Sequence, residues 1–239
     1  MTEFEFEAQE DPTAEADDWM VGGPEPTMPP HIGEKTATAL VTVETAFLAS
    51  TTALIWLINT YVPTGPLLRM FFPLPIALAY LRWGKRAAWM TAVVAALLLS
   101  VLMGPPRSVQ FFLPYGILGV ILGGCWRSQR GWAHSMGWGV LISALGLFFQ
   151  IFLLSLLLAT NVWLYLNQQV TGILDWLFIK LNLLINPDLW VVQLFAVGLI
   201  FVNATLYLLL VHLVASLLFE RLKYPIPDPP PWLQAILED

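Results

Sequence analysis

Apolar residues run in long blocks along this chain, and polar residues fall almost wholly between the blocks. Between residues 65 and 131 three blocks, 67–81, 87–103 and 109–126, are separated by two short hinges that carry charge or proline. A bilayer core is about 30 Å thick and an α-helix rises about 1.5 Å per residue, so blocks of this length with hinges this short predict successive membrane crossings. Three further blocks obey the same rule: 36–62, closed by a turn at Pro63, Gly65 and Pro66, then 132–160, then 189–219. The pattern predicts six crossings. It changes over 161–188, where Trp163, Leu164, Ile173, Leu174, Trp176 and Leu177 recur at helical spacing among Asn161, Gln168, Asp175, Lys180 and Asn182. That alternation predicts an amphipathic helix lying in the membrane interface between the fifth and sixth crossings. The fold class is an all-α membrane protein.

Details within the blocks qualify them. The block 67–81 is short and contains Pro73 and Pro75. Each removes a backbone donor and crowds the preceding turn, so this helix is expected to break near mid-membrane, which is tolerated only inside protein or beside a cavity. Pro73 and Pro75 therefore read either as a packing kink or as a ligand-pocket wall. Small residues recur every fourth position at Thr38, Thr42, Ala46 and Ser50, and again at Ala88, Ala92, Ala96 and Ser100. Such stripes let another helix backbone approach closely, within the bundle or in a separate membrane subunit. Gly119 and Gly123 have the same spacing.

Composition agrees with this class. Apolar residues make up 57% of the 239 and charged residues 12%, against about 25% charged in a soluble domain. The net charge of −6 is unevenly spread: ten acids precede Lys35, and the rest of the chain is mildly basic. Residues 1–35 are thus expected to be a disordered acidic cytoplasmic tail, 36–219 the membrane domain, and 220–239 a proline-rich cytoplasmic tail. Phe4, Phe6 and Trp19 among the acids give the first tail an alternative reading as a docking arm for a basic partner. Lys35, Arg82, Lys85, Arg86, Arg127, Arg130, Arg221 and Lys223 fall on the side of the N-terminus, while Arg107 and Lys180 fall opposite. The positive-inside rule then places both termini in the cytoplasm.

Charge at membrane depth is costly, about 2.5 to 3.5 kcal/mol on insertion scales, so each such group needs a partner or water. Glu44 on the first crossing and His212 on the sixth lie at similar depth near the cytoplasmic side, and the expectation is that they pair as a clamp between helices or as a proton relay. Arg69 starts the second helix at the outer face, level with Gln110, and either snorkels to headgroups or binds an anionic ligand in a pocket that opens outward. Enzyme signatures are lacking. His31, His134 and His212 are scattered, Cys125 is a lone cysteine, and no serine elbow or nucleotide loop occurs. The chain is expected to have no catalytic residues, metal or cofactor, and its basic residues are accounted for by topology rather than nucleic acid. Its partners are the lipid bilayer and a membrane coupling subunit or other membrane complex.

The segments RMFFPLPIALAYLRWGKRAAW and LMGPPRSVQFFLPYGILGVILGGCWR resemble the YybS-like family of predicted bacterial multi-pass membrane proteins. Its six-helix layout is similar to that of the substrate-binding S components of energy-coupling-factor transporters. The resemblance covers residues 36–219 and leaves both tails unmatched. It implies a small-solute-binding transport subunit without its own ATPase, with Thr38, Thr42, Ala46 and Ser50 docking a coupling subunit and residues 61–66 as a lid. The alternative is a non-transporting scaffold or assembly factor for another membrane complex. The expected location is the bacterial inner membrane, or the thylakoid in a cyanobacterium. The long segment after the fifth crossing and the lack of a vitamin-binding signature depart from the S-component pattern.

Overall fold

The computed structural model describes residues 30–62, 65–180 and 188–222. All regular structure among them is helical: α1 (Pro30–Tyr61), a 3₁₀ segment (Gly65–Phe71), α2 (Leu74–Trp83), α3 (Lys85–Met103), α4 (Pro105–Phe111), a π-turn (Phe112–Gly116), α5 (Ile117–Arg127), α6 (Trp132–Leu158), α7 (Val162–Lys180) and α8 (Leu189–Arg221). Five stretches among the described residues are long and apolar enough to cross a bilayer: Thr38–Tyr61, Lys85–Met103, Pro105–Arg127, Trp132–Leu158 and Leu189–Phe219. The third runs through α4, the π-turn and α5. The chain is a multi-pass integral membrane protein, and its many exposed side chains such as Phe47, Leu97, Val101 and Leu194 are what a lipid-facing surface presents.

The break expected in the second block is present, and the start of the first helix changes. The block 67–81 is no continuous span: it divides into the 3₁₀ segment and the ten-residue α2, with the break at Phe72–Pro73. Proline cannot donate to the turn before it, and this is the physical origin of the break. The first helix begins at Pro30 rather than at residue 36, so residues 30–35 form its opening turns. Proline suits a helix start, since its fixed φ is helical and its missing donor falls where none is needed. The rest of the acidic tail, 1–29, and most of the proline-rich end, 223–239, lie outside the described residues. Two compact units result, Met1–Leu40 and Val41–Asp239, of which the first contributes the opening turns of α1.

Small residues set how closely the helices of the second unit approach. Ala88, Ala92 and Ala96 of α3 are buried with Ala49 and Ala53 of α1, Ile76 of α2, Phe111 and Val120 in one cluster. Leu74 and Ala77 of α2 pack with Leu118, Leu122 and Trp126 of α5 and with Leu208, Val211, Ala215 and Phe219 of α8 in a second. The Gly119/Gly123 pair meets α2 directly: a Cβ on Gly119 would sit 2.8 Å from the Pro73 carbonyl oxygen, and one on Gly123 would sit 2.5 Å from Tyr80 Cβ. Pro114 of the π-turn fits a notch at Gly146 of α6, where a Cβ would lie 2.5 Å from the proline ring.

The turns joining α2 to α3 and α3 to α4 each rest on one glycine, Gly84 with φ 88° and Gly104 with φ 91°. Side chains rarely tolerate this region, and Gly84 also faces Arg127, whose guanidinium donates to the Tyr80 carbonyl at 3.0 Å and so caps the end of α2. Gly84→Ala is expected to cost about 1–2 kcal/mol, read as a lower midpoint in thermal unfolding of the detergent-purified protein.

α7 runs antiparallel to the first turns of α8, with Val170 and Leu174 packed on Val192 and Ala196, and Trp163 near Ile200. It occupies the stretch where the sequence predicts an amphipathic helix. Asn167 is buried on the packed side, whereas Ile173, Trp176 and Ile179 are exposed.

Candidate solute cavity

Two prolines deprive two backbone carbonyls of their helical donors, and neighbouring helices supply replacements. Pro73 has no N–H for the carbonyl of Arg69, which instead accepts the Tyr207 hydroxyl of α8 at 3.2 Å and the Phe72 N–H at 3.3 Å. Pro114 has none for the carbonyl of Gln110, which accepts the Gln150 amide of α6 at 3.4 Å. A carbonyl without a donor at membrane depth is costly, and at each break a side chain from a neighbouring helix supplies one. The result fixes the backbone at Arg69 and at Gln110 on opposite walls of one cavity.

That cavity has a volume of about 650 Å³, within the range of small-molecule sites. Its polar lining is Arg69, Arg107, Gln110, Gln150, Asn59 and Thr60. Its aromatic wall is Trp56, Phe72 and Tyr115, whose rings meet tilted or edge-on, with centroids 4.8 Å apart for Trp56 and Phe72, 5.4 Å for Trp56 and Tyr115 and 5.1 Å for Phe72 and Tyr115. Leu147, Ile151 and Leu154 of α6, Val162 and Leu166 of α7, and Ile200 of α8 complete it. Among these described residues there are two guanidinium groups and no carboxylate. The buried indole N–H of Trp56 has no partner among the described residues. A smaller void of about 100 Å³ continues past Arg69, Tyr115 and Gln150 to Asn203 and Tyr207. The chemistry on offer is attraction of an anion, hydrogen bonding from amides and hydroxyls, and an aromatic surface to lie against.

The expected residues are distributed as follows. Arg69 and Gln110 do line one cavity. Pro73 and Pro75 do not: the Pro73 carbonyl is turned against Gly119, and the residue before the break, Phe72, reaches the cavity. Residues 63 and 64 of the expected lid lie outside the described residues. Asn161 caps α7 by accepting the Leu164 N–H at 3.1 Å, Gln168 and Asp175 are exposed away from the cavity, and Asn182 lies outside the described residues. Arg107 escaped the sequence reading, which used it as a topology marker in a turn. The available signal was Pro105 as a helix start, which puts Arg107 inside α4 three residues from Gln110 and on the same face.

Glu44 and His212 do not pair. Glu44 forms a salt bridge with Arg82 and accepts the Trp83 indole N–H at 2.8 Å, tying α1 to the last turn of α2. His212 is buried, with Nδ1 2.9 Å from the Leu208 carbonyl and Nε2 2.8 Å from Ser135 Oγ. A carbonyl only accepts, so in the neutral ring the proton sits on Nδ1 and Nε2 receives the Ser135 hydroxyl. Trp126 and Trp132 close around the imidazole with centroids 5.5 Å and 5.1 Å away. The clamp exists, but it joins α8 to α6. Among the described residues no three His, Cys, Asp or Glu side chains form a metal-binding group.

The stripe Thr38, Thr42, Ala46 and Ser50 is exposed along its whole length, and the buried face of α1 is Thr45, Leu48, Ala49, Thr52 and Ala53. Packing inside the bundle, the commoner use of such a stripe, is done here by the neighbouring face. Residues 50–179, more than half of the chain, match the family described as predicted membrane protein, DUF2232. No curated protein and no solved structure matches the chain.

Proposed function

We propose, from the premise that the chain belongs to the DUF2232 family of predicted membrane proteins, that it is a small-solute-binding subunit of the S-component type. In this reading it carries no ATPase of its own and hands its solute to a separate coupling module. The observation that carries it is the cavity held open at two proline breaks, with Arg69 and Arg107 in its wall. Broken helices beside a polar cavity are the usual architecture of membrane solute sites. The segment of 3₁₀ helix and α2 counts in this reading as the sixth crossing: seven residues at about 2.0 Å and ten at about 1.5 Å extend roughly 29 Å. Both termini then lie with the basic hinges in the cytoplasm of a bacterial inner membrane, and the cavity opens outward. The exposed stripe of α1 is the docking face for the coupling subunit.

The same exposed stripe supports a second reading, a scaffold or assembly factor that docks another membrane complex without moving a solute. Gentle purification of the full chain followed by native mass spectrometry separates the two. A retained small molecule together with ATPase and coupling subunits supports transport; a respiratory, photosynthetic or envelope complex with an empty cavity supports the scaffold. Arg69→Ala is expected to weaken retention of the small molecule by about tenfold or more with gel-filtration profile unchanged, since a charge-assisted bond to an anion is lost. Full retention by that variant would remove the cavity reading.

A further inference from the structure

The cavity does not end at its aromatic wall. A second pocket of about 400 Å³ adjoins it and shares Leu147, Leu166 and Ile200 with it. The shared residues form a seam between the two. Beyond the seam the lining is Trp163, Val170, Ala196 and the outward face of α8 at Leu199, Val202 and Leu206, with Asn203 as its one side-chain amide. Those three aliphatic residues of α8 are exposed on the surface that faces lipid. A site charged at one end and apolar at the other, open sideways to hydrocarbon, matches one class of molecule on both counts.

We propose that the ligand is an anionic amphiphile, with its phosphate or carboxylate between Arg69 and Arg107 and its apolar chain laid through the Leu147–Ile200 seam into the groove between α6, α7 and α8. This rests on the reading of the cavity as a solute site and deepens it by naming the class. Two guanidinium groups without a described carboxylate among the lining residues select the head by charge, and Gln110, Gln150, Asn59 and Thr60 supply the remaining hydrogen bonds. The chain is selected by the apolar groove, where each methylene taken from water contributes to binding and Asn203 is the one side-chain amide. A small hydrophilic anion would leave the groove unused, and a neutral lipid would leave two arginines without a partner.

The full chain in phosphatidylcholine nanodiscs is titrated with decyl phosphate below its micellar concentration, with inorganic phosphate and with decanol, and bound ligand is counted by native mass spectrometry. Decyl phosphate is expected to bind at least about tenfold more tightly than either control. Arg69→Gln with Arg107→Gln is expected to bring it down to the level of decanol, and Ile200→Trp, which fills the seam, to the level of inorganic phosphate. A melting curve equal to wild type identifies the variants that fold. Inorganic phosphate binding as tightly as decyl phosphate would overturn the amphiphile while leaving a solute cavity in place. Decanol binding as tightly, or no binding of any probe, would overturn both. Adding phosphatidylglycerol to the nanodisc identifies the source of the ligand: competition with decyl phosphate assigns the site to bilayer lipid, and absence of competition assigns it to a free amphiphile.

Discussion

Gly123→Ala lowers the stability of the folded bundle by about 2–3 kcal/mol, the upper range for overpacking, and Gly119→Ala by a similar amount. The added methyl at position 123 would meet Tyr80 Cβ at 2.5 Å and the Ala77 carbonyl oxygen at 3.0 Å; at position 119 it would meet the Pro73 carbonyl oxygen at 2.8 Å. None of these atoms is the free end of a flexible side chain, so relief requires α2 to move off α5 as a body. α2 is ten residues long and pinned at both ends, by the Arg69–Tyr207 bond before it and the Arg127–Tyr80 cap after it. The controls are Gly137→Ala and Gly198→Ala, where nothing among the described residues lies within 4 Å of the new methyl. Those changes should be neutral or slightly stabilising, as alanine is the better helix former. Thermal unfolding of the four variants, followed by fluorescence-detected gel filtration, measures the contrast. Equal behaviour of Gly123→Ala and Gly137→Ala would contradict the close contact.

Ser135→Ala is expected to cost about 1–2 kcal/mol, and it should show coupling to His212. Without the hydroxyl, Nε2 of a fully enclosed imidazole has no donor, and Trp126, Trp132 and Phe219 leave no route for water to replace it. His212→Phe keeps the ring volume and removes the stranded acceptor, while the Ser135 hydroxyl can turn back to the carbonyl one helical turn earlier. The double variant should therefore be no less stable than Ser135→Ala alone, and a double-mutant cycle on melting temperatures checks this. Strict additivity would mean that the 2.8 Å contact contributes nothing.

The membrane class and most helix bounds were legible in the sequence because a bilayer demands long apolar runs and the chain supplies them. Residues 87–103 and 189–219 come within two residues of α3 and α8 at each end. The break in the second block was legible too, since proline acts on the backbone whatever surrounds it. What failed was the inference from depth to contact. The sequence places Glu44 and His212 at similar heights, but height along a helix says nothing of the direction in which a side chain points. Arg82, which the sequence offers only as a topology signal, reaches Glu44 from the last turn of α2, and Ser135 sits one turn into α6 in a stretch that carries no polar pattern. The candidate cavity was half legible: Arg69 and Gln110 were found by level. Arg107, Gln150 and the aromatic wall come together only through the packing of α4, α6 and α1, and the orphaned carbonyls that fix two of them follow from tertiary contacts no local pattern encodes.

The brevity of α2 bears on biosynthesis. Ten residues extend about 15 Å, half a bilayer, so the insertion machinery meets a fragment too short to be released sideways as a span in its own right. Its groove on Gly119 and Gly123 lies beyond α3 in the chain and is synthesised only after the whole of α3. α2 taken alone therefore meets its packing surface only once α5 has been made, and the order of synthesis makes α5 the element that completes the seating of α2.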